Sequence, residues 1–266
     1  MRPQLGAVDI VHGREVIRLS AQHARYRPDM ERHFETYFRA TEPAVENGDW
    51  VADFSRPRVH RYRSNGLDFM VSSIPEEPGV VGEYFKHTPR RKLAFDVGAY
   101  CGLSTYEASQ RFEDVVAFEP DPANRACLLS NVLRHEMANV TVLPAAVAAR
   151  TGKTRFFAEA ALGSRFAVAD FAQMPSMEVE TVSLTDACAL YGVPDFISMD
   201  IEAAEIEVLD SSRELLAHER ISLAIDTNHE EGSGWTFGPV EKILKACGYQ
   251  VETARPGGFF TTWGWK

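Results

Sequence analysis

From Arg91 onward the chain alternates short apolar runs with amphipathic stretches, the rhythm of a strand–helix repeat. The first run, LAFDV at 93–97, has apolar Leu93, Phe95 and Val97 and closes on the glycine turn at 98–102. An apolar run closed by glycines predicts a buried parallel strand feeding a helix, here Leu103 to Arg111. Val115 to Pro120 reads as the second strand, ending in the acid Glu119. Asp121 is an N-cap candidate, with Pro122 at the first position of a helix running to about His135. A third strand is expected within Asn139–Ala148, and extra strands at Gly152–Ala158 and Met177–Leu184. Between those two, residues 161–175 suggest a hairpin with Ser164 and Arg165 in its turn. Asp195–Asp200 is the fourth core strand and Ser222–Asp226 the fifth. A helix over Gly238–Gly248 and a terminal strand pair complete the pattern.

The first 88 residues are less regular. Asp9 to Leu19 partly alternates, as a hairpin would. Pro28 to Thr41 carries Met30, Phe34, Tyr37 and Phe38 near helical spacing, an amphipathic helix whose stripe packs on the core or on a second subunit. Trp50 to Asp68 is rich in Arg56, Arg58, His60, Arg61, Tyr62 and Arg63, either a solvated strand pair or a basic lip over an anionic substrate. Pro78 to Thr88 puts Val80, Val81, Tyr84 and Phe85 at helical spacing before the stop at Pro89.

The candidate chemistry gathers at the strand ends. The first turn reads DxGxxxG, from Asp96, Gly98 and Gly102, with Tyr100 where a dinucleotide fold has glycine. Glycines there either let the backbone approach a ligand or only tighten the turn. Glu119 lies 23 positions after Asp96, where an acid takes ribose hydroxyls in nucleotide folds. Ala145 and Ala146 leave room for a flat ring, or pack tightly. Asp200 and Asp226 end the fourth and fifth strands, where open α/β sheets bind ligands, and Asn228 and His229 follow. Glu202 and Glu205 open the next helix, where its dipole suffices to explain Glu205. The glycines of 232–235 suit a movable lid.

Taken in order, DVGAYCGLST, AFEPDPANRACLLSNV, VLPAAVA and DFISMDIEAAEIEVL resemble the motifs of the FkbM family of methyltransferases, over roughly Glu83 to Val251. The resemblance implies a Rossmann-like class I α/β sheet, mostly parallel with an antiparallel C-terminal strand. S-adenosylmethionine (SAM) is then the expected cofactor. Residues 1–88 become an N-terminal α+β appendage for substrate cover or oligomerisation, and 89–266 the SAM-binding domain. The residues expected around SAM are Asp96, Gly98, Ala99, Tyr100, Gly102, Thr105, Glu119, Pro120, Asp121 and Ala146. Several family members O-methylate natural products or sugars, so the expected acceptor is a hydroxyl on a small molecule. Asp200 and His229, beside Asp226, are the candidates for catalysis as base. The alternative is a divalent cation such as magnesium on Asp200, Asp226 and Asn228, similar to catechol-type methyltransferases. His229 offers a metal-free base and makes that the less favoured route. The chain departs from the pattern at Tyr100, where Asn is common, at Ser198, where Lys is common, and at Ala203, where Gly is common. Two other classes stay open. A nicotinamide oxidoreductase would want GxGxxG, yet position 103 is Leu; a non-catalytic SAM-binding protein would tolerate Ser198 and Ala203.

Composition narrows the partners. The 266 residues, 45% hydrophobic, allow one large domain or a domain plus appendage. A net charge of −10 argues against nucleic acid. No apolar run has bilayer length, and the stretch MRPQLGAVDI lacks a signal peptide's apolar core. Cys101, Cys127, Cys188 and Cys247 have no CxxC spacing and read as free thiols of a reducing, cytoplasmic compartment.

Overall fold

The computed structural model describes residues 7–55, 60–62, 64–69, 78–89, 91–158, 165–166, 176–231, 234–255 and 260–266. A seven-stranded sheet holds β1 (Leu93–Val97), β2 (Asp114–Phe118), β3 (Val140–Leu143), β4 (Phe196–Met199), β5 (Ser222–Asp226), β6 (Gln250–Ala254) and β7 (Thr261–Trp265). Their spatial order is β3-β2-β1-β4-β5-β7-β6. Neighbours from β3 to β5 are parallel, and β7 runs antiparallel to both β5 and β6. β1, β4 and β5 are buried along almost their whole length, as parallel strands covered on both faces must be. The chain leaves β1 toward β2 and later returns to its other side with β4. Such a reversal opens a crevice at the carboxyl ends of the strands.

Among the described residues the connections of this sheet carry α1 (Leu103–Ser109), α2 (Pro122–Arg134), α3 (Leu184–Tyr191), α4 (Glu205–Ser211), which a short helix at Arg213–His218 follows, and α5 (Phe237–Ala246). Asp121 caps α2 by accepting the N–H groups of Ala123 at 2.8 Å and Asn124 at 3.3 Å, and Pro122 follows at the first helical position.

The structure departs from the sequence pattern where breakers intervene. Pro144, which has no N–H for a ladder, splits the expected third strand. Val140–Leu143 stays in the main sheet, while Ala145–Val147 pairs with Met177–Val182 in a second sheet, beside Gly152–Phe157 and Arg165–Phe166. Ser164 and the Arg165 side chain lie outside the described residues. The helix at Pro78 ends at Glu83, after the poor helix former Gly82, and Tyr84 and Phe85 sit in the turn beyond. The expected helix of Pro28–Thr41 breaks at His33 into Arg27–Arg32 and Phe34–Ala40, and Phe34 stacks on His12 with ring centroids 4.2 Å apart. α4 starts at Glu205, so Glu202 is a turn residue.

The N-terminal segment forms its own four-stranded sheet, with the expected hairpin at Val8–His12 and Glu15–Leu19. One apolar cluster nevertheless crosses residue 88, joining Phe54, Leu67, Phe69 and Phe85 to Cys101, Phe112, Phe196 and Trp263. Arg56, Arg58 and Arg63 of the basic stretch lie outside the described residues, and Arg61 pairs with Asp68 at 3.0 Å. Asn131 on α2 is fully buried and ties the segment to the glycine turn. It accepts the Asp68 N–H at 2.7 Å and donates to the carbonyls of Asp68 at 2.6 Å and Cys101 at 2.7 Å.

Candidate active site

The turn after β1 takes its shape from left-handed residues, Gly98 at φ +83°, Tyr100 at +49° and Gly102 at +94°. Gly98 and Ala99 both donate N–H to the Phe118 carbonyl, at 3.1 and 3.0 Å, which fastens the turn to the end of β2. A Cβ on Gly98 would lie 1.8 Å from the Asp200 carbonyl oxygen. The glycine is therefore demanded by β4 passing alongside. A Cβ on Gly102 would meet Leu128 Cδ1 at 2.4 Å, so Gly102 serves the contact of α1 with α2.

Glu119 turns its buried carboxylate back onto this turn. Oε2 accepts the Tyr100 N–H and Oε1 the Asp121 N–H, both at 2.8 Å, and each oxygen keeps a second lone pair. Burial pushes its pKa up to about 8, against the pull of those two N–H groups. The Tyr100 ring packs on the cluster shared with the N-terminal segment. A cleft opens here, with about 510 Å³ of empty space measured out to its solvent mouth. Glu119, Pro120 and Asn124 give it polar and backbone groups, and Phe118, Ala146, Val147 and Phe156 give it apolar walls.

An adjoining cleft of about 390 Å³ runs past Tyr84, Leu103, Ser104, Ser198 and Met199. On its wall Asp96 accepts hydroxyl hydrogens from Ser104 and Ser198, each at 2.8 Å, and from Thr105. Burial raises the Asp96 pKa and these three hydroxyls oppose the rise. Ser198 thus solvates Asp96 with a hydroxyl where the family pattern has a cation. Gly98, Tyr100 and Asp200 border both clefts, so the two meet at the end of β4.

Behind Asp200 stand three further ionisable groups, His229, Glu205 and Asp226. His229 Nε2 lies 3.5 Å from Asp200 Oδ1, and its Nδ1 lies 3.4 Å from Oε1 of the fully buried Glu205. The carboxylates of Glu205, Asp200 and Asp226 hold the imidazole well above its ordinary pKa although burial pulls it down. Burial in turn raises Asp226 to about 6, and its Oδ1 accepts the Asn228 N–H at 2.7 Å. The link from Asp200 to α4 is strained, with Glu202 at φ +55° and Ala203 at +78°. Glycine is cheap there and alanine is not. Ala203→Gly should therefore stabilise the protein by about 1 kcal/mol, read as a higher urea midpoint with an unchanged slope.

The sequence model of the Methyltransferase FkbM domain matches residues 96–251 of this chain. The chain belongs to the FkbM methyltransferase family. Among solved structures it is similar to the methyltransferase FkbM from Methylobacillus flagellatus KT, at 20% identity and TM-score 0.50, covering 71% of this chain and 50% of that one. It thus spans half the length of that relative. Weaker likenesses are to a precorrin-6y C5,15-methyltransferase from Geobacter metallireducens GS-15, at 14% identity, 77% and 94% coverage and TM-score 0.47. Another is M. jannaschii TYW2 in complex with AdoMet, at 16% identity, 78% and 84% coverage and TM-score 0.45. No curated protein matches the sequence. The sheet is that of the class I SAM methyltransferases, and membership in a methyltransferase family sets aside the oxidoreductase alternative.

In this FkbM-family chain the residues expected around SAM divide in two. Gly98, Tyr100, Glu119, Pro120 and Ala146 border the larger cleft, and Asp96 and Ala99 the smaller. Gly102, Thr105 and Asp121 border neither; they pack α1, hold Asp96 and cap α2. Asn124, which lies within the second motif, and Phe156, which lies outside all four, also border the larger cleft, and neither was among the residues expected around SAM. Glu205 was assigned to the helix dipole, yet it is fully buried against His229, so the dipole account is insufficient. Of the proposed lid, residues 232–233 lie outside the described residues, and Gly234–Trp235 pairs with Glu230–Glu231 as a short hairpin. No helix among the described residues is long and apolar enough to cross a membrane.

Proposed function

We propose that the protein is a SAM-dependent O-methyltransferase acting on a hydroxyl of a small molecule, a natural product or saccharide. The observation that carries this reading is the meeting of the two clefts at Asp200. The larger cleft suits an adenosine. Glu119 has a free lone pair on each oxygen for the two ribose hydroxyls, and Phe118, Ala146, Val147 and Phe156 suit a flat ring. When bound, SAM supplies an electrophilic sulfonium methyl. The chain's main task is then to hold the acceptor oxygen in line with that methyl and to exclude water. Asp200 borders both clefts, so it orients the acceptor hydroxyl and receives the proton, directly or through a bound group, as the C–O bond forms. His229 and Asp226 support it from behind. Residues 1–88 cover the smaller cleft through Tyr84 and brace the turn through Asn131. Four buried free cysteines suit a reducing compartment, the cytoplasm.

Glu119 gives a pH signature. With a pKa of about 8 it is mostly protonated at pH 7 in the unliganded protein. Ribose hydroxyls donate best to the ionised carboxylate. SAM binding at pH 7 should therefore release a proton, and affinity should rise with pH and level off above about 8. Calorimetry in two buffers of different ionisation heat reads that proton, and Glu119→Gln should abolish it.

The function itself is tested by incubating the protein with SAM and a panel of hydroxylated metabolites, followed by mass spectrometry. A product one methyl heavier, with stoichiometric S-adenosylhomocysteine, supports the proposal. SAM binding without transfer to any acceptor would favour the non-catalytic reading.

A further inference from the structure

We propose that Asp200, Glu205 and His229 are the protein ligands of a divalent first-row transition-metal cation at the acceptor end of the cleft. They come from the end of β4, the first residue of α4 and the segment after β5. One ligand atom from each lies within 4.8 Å of the other two. Donors about 2.1 Å from one cation are at most about 4.2 Å apart, so a small contraction closes the set.

The cluster alone would be an ordinary buried ion pair. Two orphaned atoms point further. Glu205 Oε1 accepts the Ile201 N–H at 2.9 Å, while Oε2 of the same fully buried side chain has no hydrogen-bond partner. His229 Nδ1 is also buried, and its 3.4 Å approach to Glu205 Oε1 is a long ion pair that lacks good hydrogen-bond geometry. Buried polar atoms rarely stay unsatisfied, and a missing ion is one standard cause. A cation that displaced the imidazolium proton would take up Nδ1 together with Oε2, which is why binding is favoured at higher pH. The bond from Ile201 to the other oxygen orients the Glu205 carboxylate, as outer partners of metal ligands do. Two carboxylates facing one imidazole, with Asp226 beside it, also leave an excess of negative charge that a dication balances.

The donor types choose the metal. One imidazole with two carboxylates suits Mn²⁺, Fe²⁺, Co²⁺ or Zn²⁺, whereas an all-oxygen set would suit magnesium. The oxygen set read from the sequence is engaged otherwise: Asp226 accepts the Asn228 N–H at 2.7 Å, and the Asn228 side-chain oxygen accepts the Phe260 N–H at 3.4 Å. Because Asp200 borders both clefts, the open positions of the cation would face the acceptor oxygen and lower its pKa. That role rests on the methyl-transfer reading; the binding itself does not.

The test uses the full chain stripped with EDTA and titrated with Mn²⁺ and Co²⁺ at pH 8, followed by the loss of free Mn²⁺ paramagnetic resonance and by Co²⁺ ligand-field absorption. SAM affinity is measured on the same samples. The proposal predicts one cation per chain, weakened about tenfold or more in His229→Ala, with SAM affinity retained. Glu205→Gln should do the same, and Asp200→Asn, on a half-exposed residue, serves if Glu205→Gln does not fold. Absence of stoichiometric binding by either ion, or equal binding by wild type and variants, would overturn it. Loss of SAM binding with metal binding intact would instead count against the methyltransferase reading.

Discussion

Gly98→Val is expected to destabilise the protein by about 2 kcal/mol or more and to abolish SAM binding as a consequence. The new Cβ would stand 1.8 Å from the Asp200 carbonyl oxygen, 2.9 Å from its carbon and 3.1 Å from Ile201 Cγ2. The first two neighbours are backbone and cannot swing aside. The backbone at φ +83° is itself costly for any L side chain, by about 1–2 kcal/mol. To relieve the clash, β1 and β4 must part at their carboxyl ends, which breaks the 2.9 Å bond from the Asp200 N–H to the Val97 carbonyl. Reading the turn as a cradle, the sequence alone suggests a variant that folds and loses only the ligand. The structure makes the strand neighbour the first casualty. Urea unfolding and SAM calorimetry on the same variant decide. A midpoint close to wild type with normal SAM affinity would remove Gly98 from the account.

Asp200→Asn should cut turnover by about 10²–10⁴-fold, the range for a lost acid–base group, while SAM affinity stays within a few-fold of wild type. The substitution keeps size and a hydrogen-bonding oxygen but removes the charge facing His229 at 3.5 Å. Full kinetics against the identified acceptor separate the two effects, since a residue made essential only in the transition state lowers kcat and kcat/KM together. Turnover within a few-fold of wild type would show that another group handles the acceptor proton.

The strand–helix rhythm was legible because parallel strands are apolar on both faces, and Ser222–Asp226 came out to the residue. The place of Glu119 just past the end of β2 and the Asp121 cap were legible because both are set by residues local to β2 and α2. What escaped depends on contacts across the sheet. Ser198 reaches Asp96 only because β4 lies beside β1 with those two residues in register. Glu205 is covered by His229 from the neighbouring strand's exit, so a first-turn acid became a buried one. Two departures from the family pattern, Tyr100 and Ala203, fall on left-handed backbone, where Asn or Gly is the easier residue. No side-chain pattern reveals a positive φ. The split at Pro144 was readable in principle, since a proline inside a strand argues against a continuous one.

The proposed placement of SAM in the larger cleft, with its ribose on Glu119, can be measured directly. Calorimetric titration of SAM into wild type and Glu119→Ala tests it most directly. Wild type should bind one-to-one, and the variant should lose about 1.5–3 kcal/mol, roughly 10- to 150-fold in Kd. A wild-type protein that does not bind SAM, or a Glu119→Ala variant that binds it equally well, would contradict it.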